Sequence, residues 1–192
     1  MGHKAIWTFA CKVQAMSIAL DSSSWQLSHQ LNPLVIDGTM QQATLYRSSS
    51  VLWGVWGVVH IFFGVFLLYL LQAGQVGEAF HGIAGQAELS TFMLEYPNGV
   101  AAVMKQHGYN LLWFGLVTLI ASVWVWRRNV QAAALCALVG GLADLGYFMF
   151  IDLGGLAVFP GPQMTWIAAA AIGLSGYAVL RGRSSAEGEQ TA

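Results

Sequence analysis

The stretch VLWGVWGVVHIFFGVFLLYLLQ, residues 51–72, contains one side chain that ionises near neutral pH, His60. An α-helix needs about 20 largely apolar residues to cross the hydrocarbon core of a bilayer. This run meets that length and shows no period-two alternation, so neither a soluble strand nor a lipid-facing barrel strand describes it. Lipid cannot satisfy open backbone groups, which leaves a helix with all its hydrogen bonds internal.

Working outward, the same reading returns at residues 108–126, at 130–151 with Asp144 alone, and at 163–180. Across 192 residues, 56% are hydrophobic and 9% charged. A soluble domain carries about 25% charged residues, so the deficit implies a non-aqueous solvent for much of the chain. The expected architecture is all-α: a polytopic membrane protein built as a four-helix transmembrane bundle. The net charge of −1 and the absence of a basic stretch exclude a nucleic-acid partner. The bilayer is the expected partner, with a homo-oligomer or a membrane partner left open.

Arg127-Arg128-Asn129 leaves room only for a tight turn, so spans two and three are antiparallel neighbours. Pro160-Gly161-Pro162 breaks the chain before span four, with Pro162 placed to open that helix. Trp53, Trp56, Tyr109, Trp113, Trp124, Trp126, Trp166 and Tyr177 gather near span ends, the pattern of an interfacial aromatic belt. With four spans, Arg47, Arg127, Arg128, Arg181 and Arg183 all fall on one side and Lys105 on the other. The positive-inside rule then puts both termini in the cytoplasm, as in a bacterial inner-membrane protein.

Residues 1–46 read as a cytoplasmic N-terminal segment. Ala5 to Leu20 is an amphipathic stretch suited to the membrane surface, and Met40 is an alternative start that would leave 1–39 outside the natural product. Residues 47–183 form the membrane domain and 184–192 a disordered cytoplasmic tail. Between spans one and two, Glu78 to Glu95 is expected as an outer interfacial helix ended by Pro97-Asn98-Gly99, with His81, Glu88 and Glu95 sharing a face. Cys136 reads as a small apolar residue within a span, and a disulfide with Cys11 is not expected.

Ionisable groups inside a membrane cost roughly 2.5–3.5 kcal/mol at its centre on insertion scales. His60 and Asp144 are therefore the residues to explain. Gly57, His60 and Gly64 lie on one face of span one; Ala133, Ala137, Gly141 and Asp144 lie on one face of span three, with Gly140 a turn below the acid. Small residues let helices approach, so both polar groups should face the bundle interior. Counted from Val51 and Val130, their depths differ by roughly 7 Å, about one turn, so direct contact needs unequal tilts or a bridging water. With no Lys or Arg in any span, Asp144 is expected to keep its proton unless a cation or several donors approach. Two readings stay open: an outer pocket in which Asn110, Tyr147 and Trp166, at similar depth, join His60 and Asp144 as candidate ligand-binding residues, and a structural one in which Asp144 ties helices together through hydrogen bonds and His60 bonds to a backbone carbonyl.

No catalytic motif is present, and no metal site or cofactor is expected: Glu78-x-x-His81 occurs once, and His60 has no second membrane-embedded histidine to share a haem. The stretch Trp56-Gly57-Val58-Val59-His60-Ile61-Phe62-Phe63-Gly64 resembles the opening of small four-helix bacterial membrane proteins of domain-of-unknown-function families, and more distantly the DoxX-like group. The resemblance implies the four-helix layout and brings no activity. Three functional classes follow: a non-catalytic protein binding a lipid or small apolar ligand or supporting a partner; a redox or metal- or haem-binding component using His60 and Asp144; and a small proton-coupled transporter or transporter subunit.

Overall fold

The computed structural model describes residues 33–190, and the segment Ala5–Leu20 lies outside them. The elements are α1 (Pro33–Gln72), α2 (Val76–Ile83), α3 (Leu89–Phe92), α4 (Asn98–Trp126), α5 (Val130–Asp152) and α6 (Gly161–Gln190). No strand occurs among the described residues. Met40–Gln72, Asn98–Trp126, Val130–Asp152 and Gly161–Gly182 are long and apolar enough to cross a membrane. The chain is an all-α, multi-pass membrane protein. Both end helices run further than hydropathy alone marks. α1 is helical throughout Pro33–Gln72, and no proline interrupts it after Pro33. α6 continues through Gln190, so most of the expected disordered tail extends the helix; Ala, Glu and Gln sustain helix well.

α1 is the spine of the bundle. Along one face it runs antiparallel to α4 in a fixed register. Ser50 Oγ donates to the Ser122 carbonyl at 2.6 Å, Gly57 meets Gly115, and Gly64 meets Gly108. Successive contacts are a heptad apart on both helices. A Cβ at Gly57 would lie 2.8 Å from the Gly115 carbonyl oxygen, and one at Gly64 would lie 2.6 Å from the Leu112 nitrogen. The two backbones therefore touch, which only glycine permits. A second face of α1 is bonded to α6: Gln42 Nε2 donates to the Ala178 carbonyl at 3.0 Å and Ser49 Oγ to the Ala171 carbonyl at 2.8 Å.

α4 turns into α5 through Arg128, whose φ of 63° allows the reversal, and Asn129 caps α5 by accepting from the Ala132 N–H at 2.9 Å. α5 is not uniform: Ala137–Gly141 and Phe148–Asp152 are wider π-helical turns separated by Leu142–Tyr147. Its buried line is Ala133, Cys136, Gly140 and Asp144, one position away from the expected Ala137–Gly141 face. Gly140 is the crowded glycine, since a Cβ there would lie 2.5 Å from Trp53 Cζ3, whereas at Gly141 it meets only the end of Ile172. Trp53 and Trp56 are correspondingly not belt residues. Both are fully buried in the core with Tyr46, Val125, Cys136 and Ala171.

The connection between α1 and α4 also differs from the expected single helix over Glu78–Glu95. Gly82 and Gly85 weaken the helix, and Ala84 (φ −129°, ψ 56°) leaves helical geometry with its side chain buried. α3 then folds back so that Gly77 packs on the Phe92 backbone. His81, Glu88 and Glu95 consequently do not share a face. The loop is tied to the α5–α6 connection by Gln86 N–H donating to the Leu156 carbonyl at 3.2 Å.

The backbone contact at Gly57 sets an expectation for stability. Gly57→Ala should lower stability by about 1–3 kcal/mol, because a methyl group there meets backbone that cannot rotate away. Gly146→Ala, with nothing within 4 Å of the added Cβ, should not lower it. Thermal unfolding in detergent compares the two; equal midpoints would place α1 and α4 further apart than described.

Candidate functional site

The tight α1–α4 seam leaves a cavity of about 550 Å³ on its other side, between α1, α4 and α5 at the end of the bundle that carries α2. α1 contributes His60, Phe63, Phe66 and Leu67 to its wall, α4 Met104, His107, Asn110 and Phe114, and α5 Ala143, Asp144, Gly146, Tyr147 and Phe150. Ala79, Gly82 and Ile83 of α2, with Val158 and Pro160, close it from the loop side, and Gly161 and Met164 are the contribution of α6. The lining is mainly apolar. Asp144 is its only acid, and no Lys or Arg is among the lining residues.

The polar groups are organised around Asp144, which is 6% exposed. Trp56 Nε1–H donates to Asp144 Oδ2 at 2.6 Å. The Trp56 carbonyl lies 2.9 Å from His60 Nδ1, and the two rings, one turn apart on α1, stack with centroids 3.5 Å apart. A carbonyl oxygen only accepts, so Nδ1 carries a hydrogen. That leaves His60 Nε2 directed to the acid, 3.7 Å from Asp144 Oδ1. The indole is thus the acid's direct partner, and the imidazole stands just beyond hydrogen-bond reach.

His60 and Asp144 are closer than counting from span ends implies. α1 does not begin at Val51, so that residue is no common reference plane, and α5 carries a π-helical turn just before the acid. Such turns commonly re-aim side chains at functional positions. Tyr147 lies one turn beyond Asp144 in the wall, packed against Gly161, where even a Cβ would collide with its ring. Asn110 accepts from Trp113 Nε1 at 3.1 Å, which leaves its amide N–H groups for the cavity.

Of the five residues expected to form a pocket, the structure brings together His60, Asp144, Asn110 and Tyr147 in one lining. It does not bring Trp166 there: that side chain is 70% exposed on the outside of α6, and Met164, two residues earlier, faces inward instead. Sequence reading missed Trp56, assigned to the belt, and His107, which lines the cavity from α4. The heptad match of Gly108 and Gly115 with Gly57 and Gly64 was the available signal, because it orients α4. Among the described residues no three His, Cys, Asp or Glu side chains converge as a metal site requires. No protein-family model, curated protein or solved structure matches this chain.

The indole bond is testable without a ligand. Trp56→Phe keeps the ring but strips Asp144 Oδ2 of its donor, and should lower stability by about 1–3 kcal/mol. Adding Asp144→Leu, which removes the stranded acceptor, should recover part of that loss. A double-mutant cycle of unfolding midpoints in detergent checks it; strictly additive effects would mean that the two side chains do not interact.

Proposed function

We propose that this protein is a non-catalytic membrane binding protein whose cavity holds a lipid or other small, largely apolar molecule drawn from the bilayer. The observation that carries the reading is the cavity itself: about 550 Å³ of apolar, aromatic-rich space with His60 and Asp144 in its wall, the acid held from behind by the buried Trp56 indole. Small-molecule sites have this character, with apolar walls for the body of the ligand and a few convergent polar groups for its orientation. The sparse polar inventory favours binding over chemistry, since no activated nucleophile or paired catalytic carboxylates line the space.

Gly146 offers the test. It lines the cavity, and a Cβ there meets nothing within 4 Å, so a larger side chain occupies the space without moving backbone. Protein purified in mild detergent should retain a stoichiometric bilayer-derived molecule, read by native mass spectrometry. Gly146→Leu should lose it while unfolding at the same temperature or higher. Retention by the variant at the parental level would reject the cavity as the binding site.

The proposal includes an orientation: a bacterial inner membrane, both termini cytoplasmic, and the cavity near the outer surface. It is supported by basic residues clustered at one end of the bundle. Arg47 lies 5.4 Å from the centre of the Trp126 ring and Arg181 lies 5.7 Å from that of Tyr177, pairings suited to interfacial anchors. In a chain freed of its native cysteines, Gly99→Cys should react with an impermeant thiol reagent from outside and Ser184→Cys only from inside. Labelling of both from one side would reject the orientation.

A further inference from the structure

Taking the cavity as a binding site, we propose that its occupant is a lipophilic ammonium: a protonated primary or secondary amine on an apolar, aromatic or branched body. The argument is one of hydrogen-bond capacity and charge. His60 Nδ1–H is committed to the Trp56 carbonyl, so Nε2 of the neutral ring accepts and does not donate. Asp144 Oδ2 is taken by the Trp56 indole. Two atoms remain, Nε2 and Oδ1, 3.7 Å apart, too far for a bond between them. Both belong to residues lining the cavity. With Asp144 ionised, both are acceptors, and one nitrogen with two N–H groups satisfies them together.

Charge selects the same group. Desolvated carboxylates persist where a cation sits beside them, and no Lys or Arg lines this space. A ligand cation supplies what the protein omits. The short indole bond to Oδ2 stabilises the carboxylate that receives it. Phe63, Phe66, Phe114, Tyr147 and Phe150 surround the space with rings, and aromatic linings stabilise desolvated ammonium groups. A phosphate or carboxylate headgroup would instead face Asp144 with no lysine or arginine to receive it. A simple alcohol has a single donor for the two acceptors.

Calorimetric titration of the full chain in detergent with 4-phenylbutylamine and with 4-phenylbutanol separates these chemistries, since the probes share a body and differ in the head. The amine should bind at least about tenfold more tightly than the alcohol, as a desolvated ion pair with flanking rings implies. Asp144→Asn should bring the amine down to the alcohol's affinity, and Gly146→Leu should weaken both. Equal affinity of the two probes for the parent overturns the ammonium assignment and leaves the cavity reading standing; that comparison does not depend on any variant folding. Undiminished amine binding by Asp144→Asn overturns it as well. Failure of both probes to bind rejects the assignment, and rejects the cavity too if Gly146→Leu leaves the co-purified molecule in place.

Discussion

Lipid offers no hydrogen bonds, and the way α1 answers that constraint organises the bundle. One face of α1 presents Ser50, Gly57 and Gly64 to α4, and another presents Gln42 and Ser49 to α6. The hydroxyls and the amide bond to carbonyls across the helix gaps, and the glycines let backbones touch. Association in a membrane gains little from burying apolar surface, because the surrounding lipid is equally apolar. Close packing and a few interhelical hydrogen bonds must do that work instead. The register they impose decides where every other side chain on α1 points, Trp56 and His60 included.

The same packing explains why the polar cluster and the cavity occur together. The seam through Gly57, Gly64, Gly108 and Gly115 draws α1 and α4 together on one side, while the cavity lies on the other, toward α5. Trp53 fills the space opposite Gly140, and Trp56 reaches Asp144 one turn later. A bulky side chain at Gly140 would meet the Trp53 ring, so this glycine keeps α5 near enough to α1 for the indole–carboxyl bond to form. Beyond that level phenylalanines, Tyr147 and the loop helix α2 surround the open space. α2 is held there by the apolar cluster of Leu67, Leu71, Ala79 and Met104.

Much of this was legible in residue order. Four apolar runs, the turn at Arg127-Arg128-Asn129 and the break at Pro160 lead to the four-helix layout. The rarity of ionisable residues within the runs singles out His60 and Asp144. What residue order hid was the inward face of each helix. In a soluble helix an apolar stripe marks the core. Here the outside of α6 is as apolar as its inside, so Trp166 and Met164 look alike from sequence although only Met164 lines the cavity. Trp53 and Trp56 are ambiguous for the same reason, because an indole suits both an interface and a core.

Length, hydropathy and the position of charge determined by themselves that the chain crosses a membrane and which residues there are costly, since those properties follow from transfer between water and lipid, residue by residue. The tertiary structure alone decided that Trp56 is the partner of Asp144, that His60 Nε2 stands 3.7 Å from the acid, and that His107 lines the same cavity as His60 and Asp144. Those outcomes depend on the rotation and register of helices against one another. They are set by contacts between residues far apart in the chain, and a one-dimensional pattern of solubility contains no information about rotation when lipid and protein interior are alike.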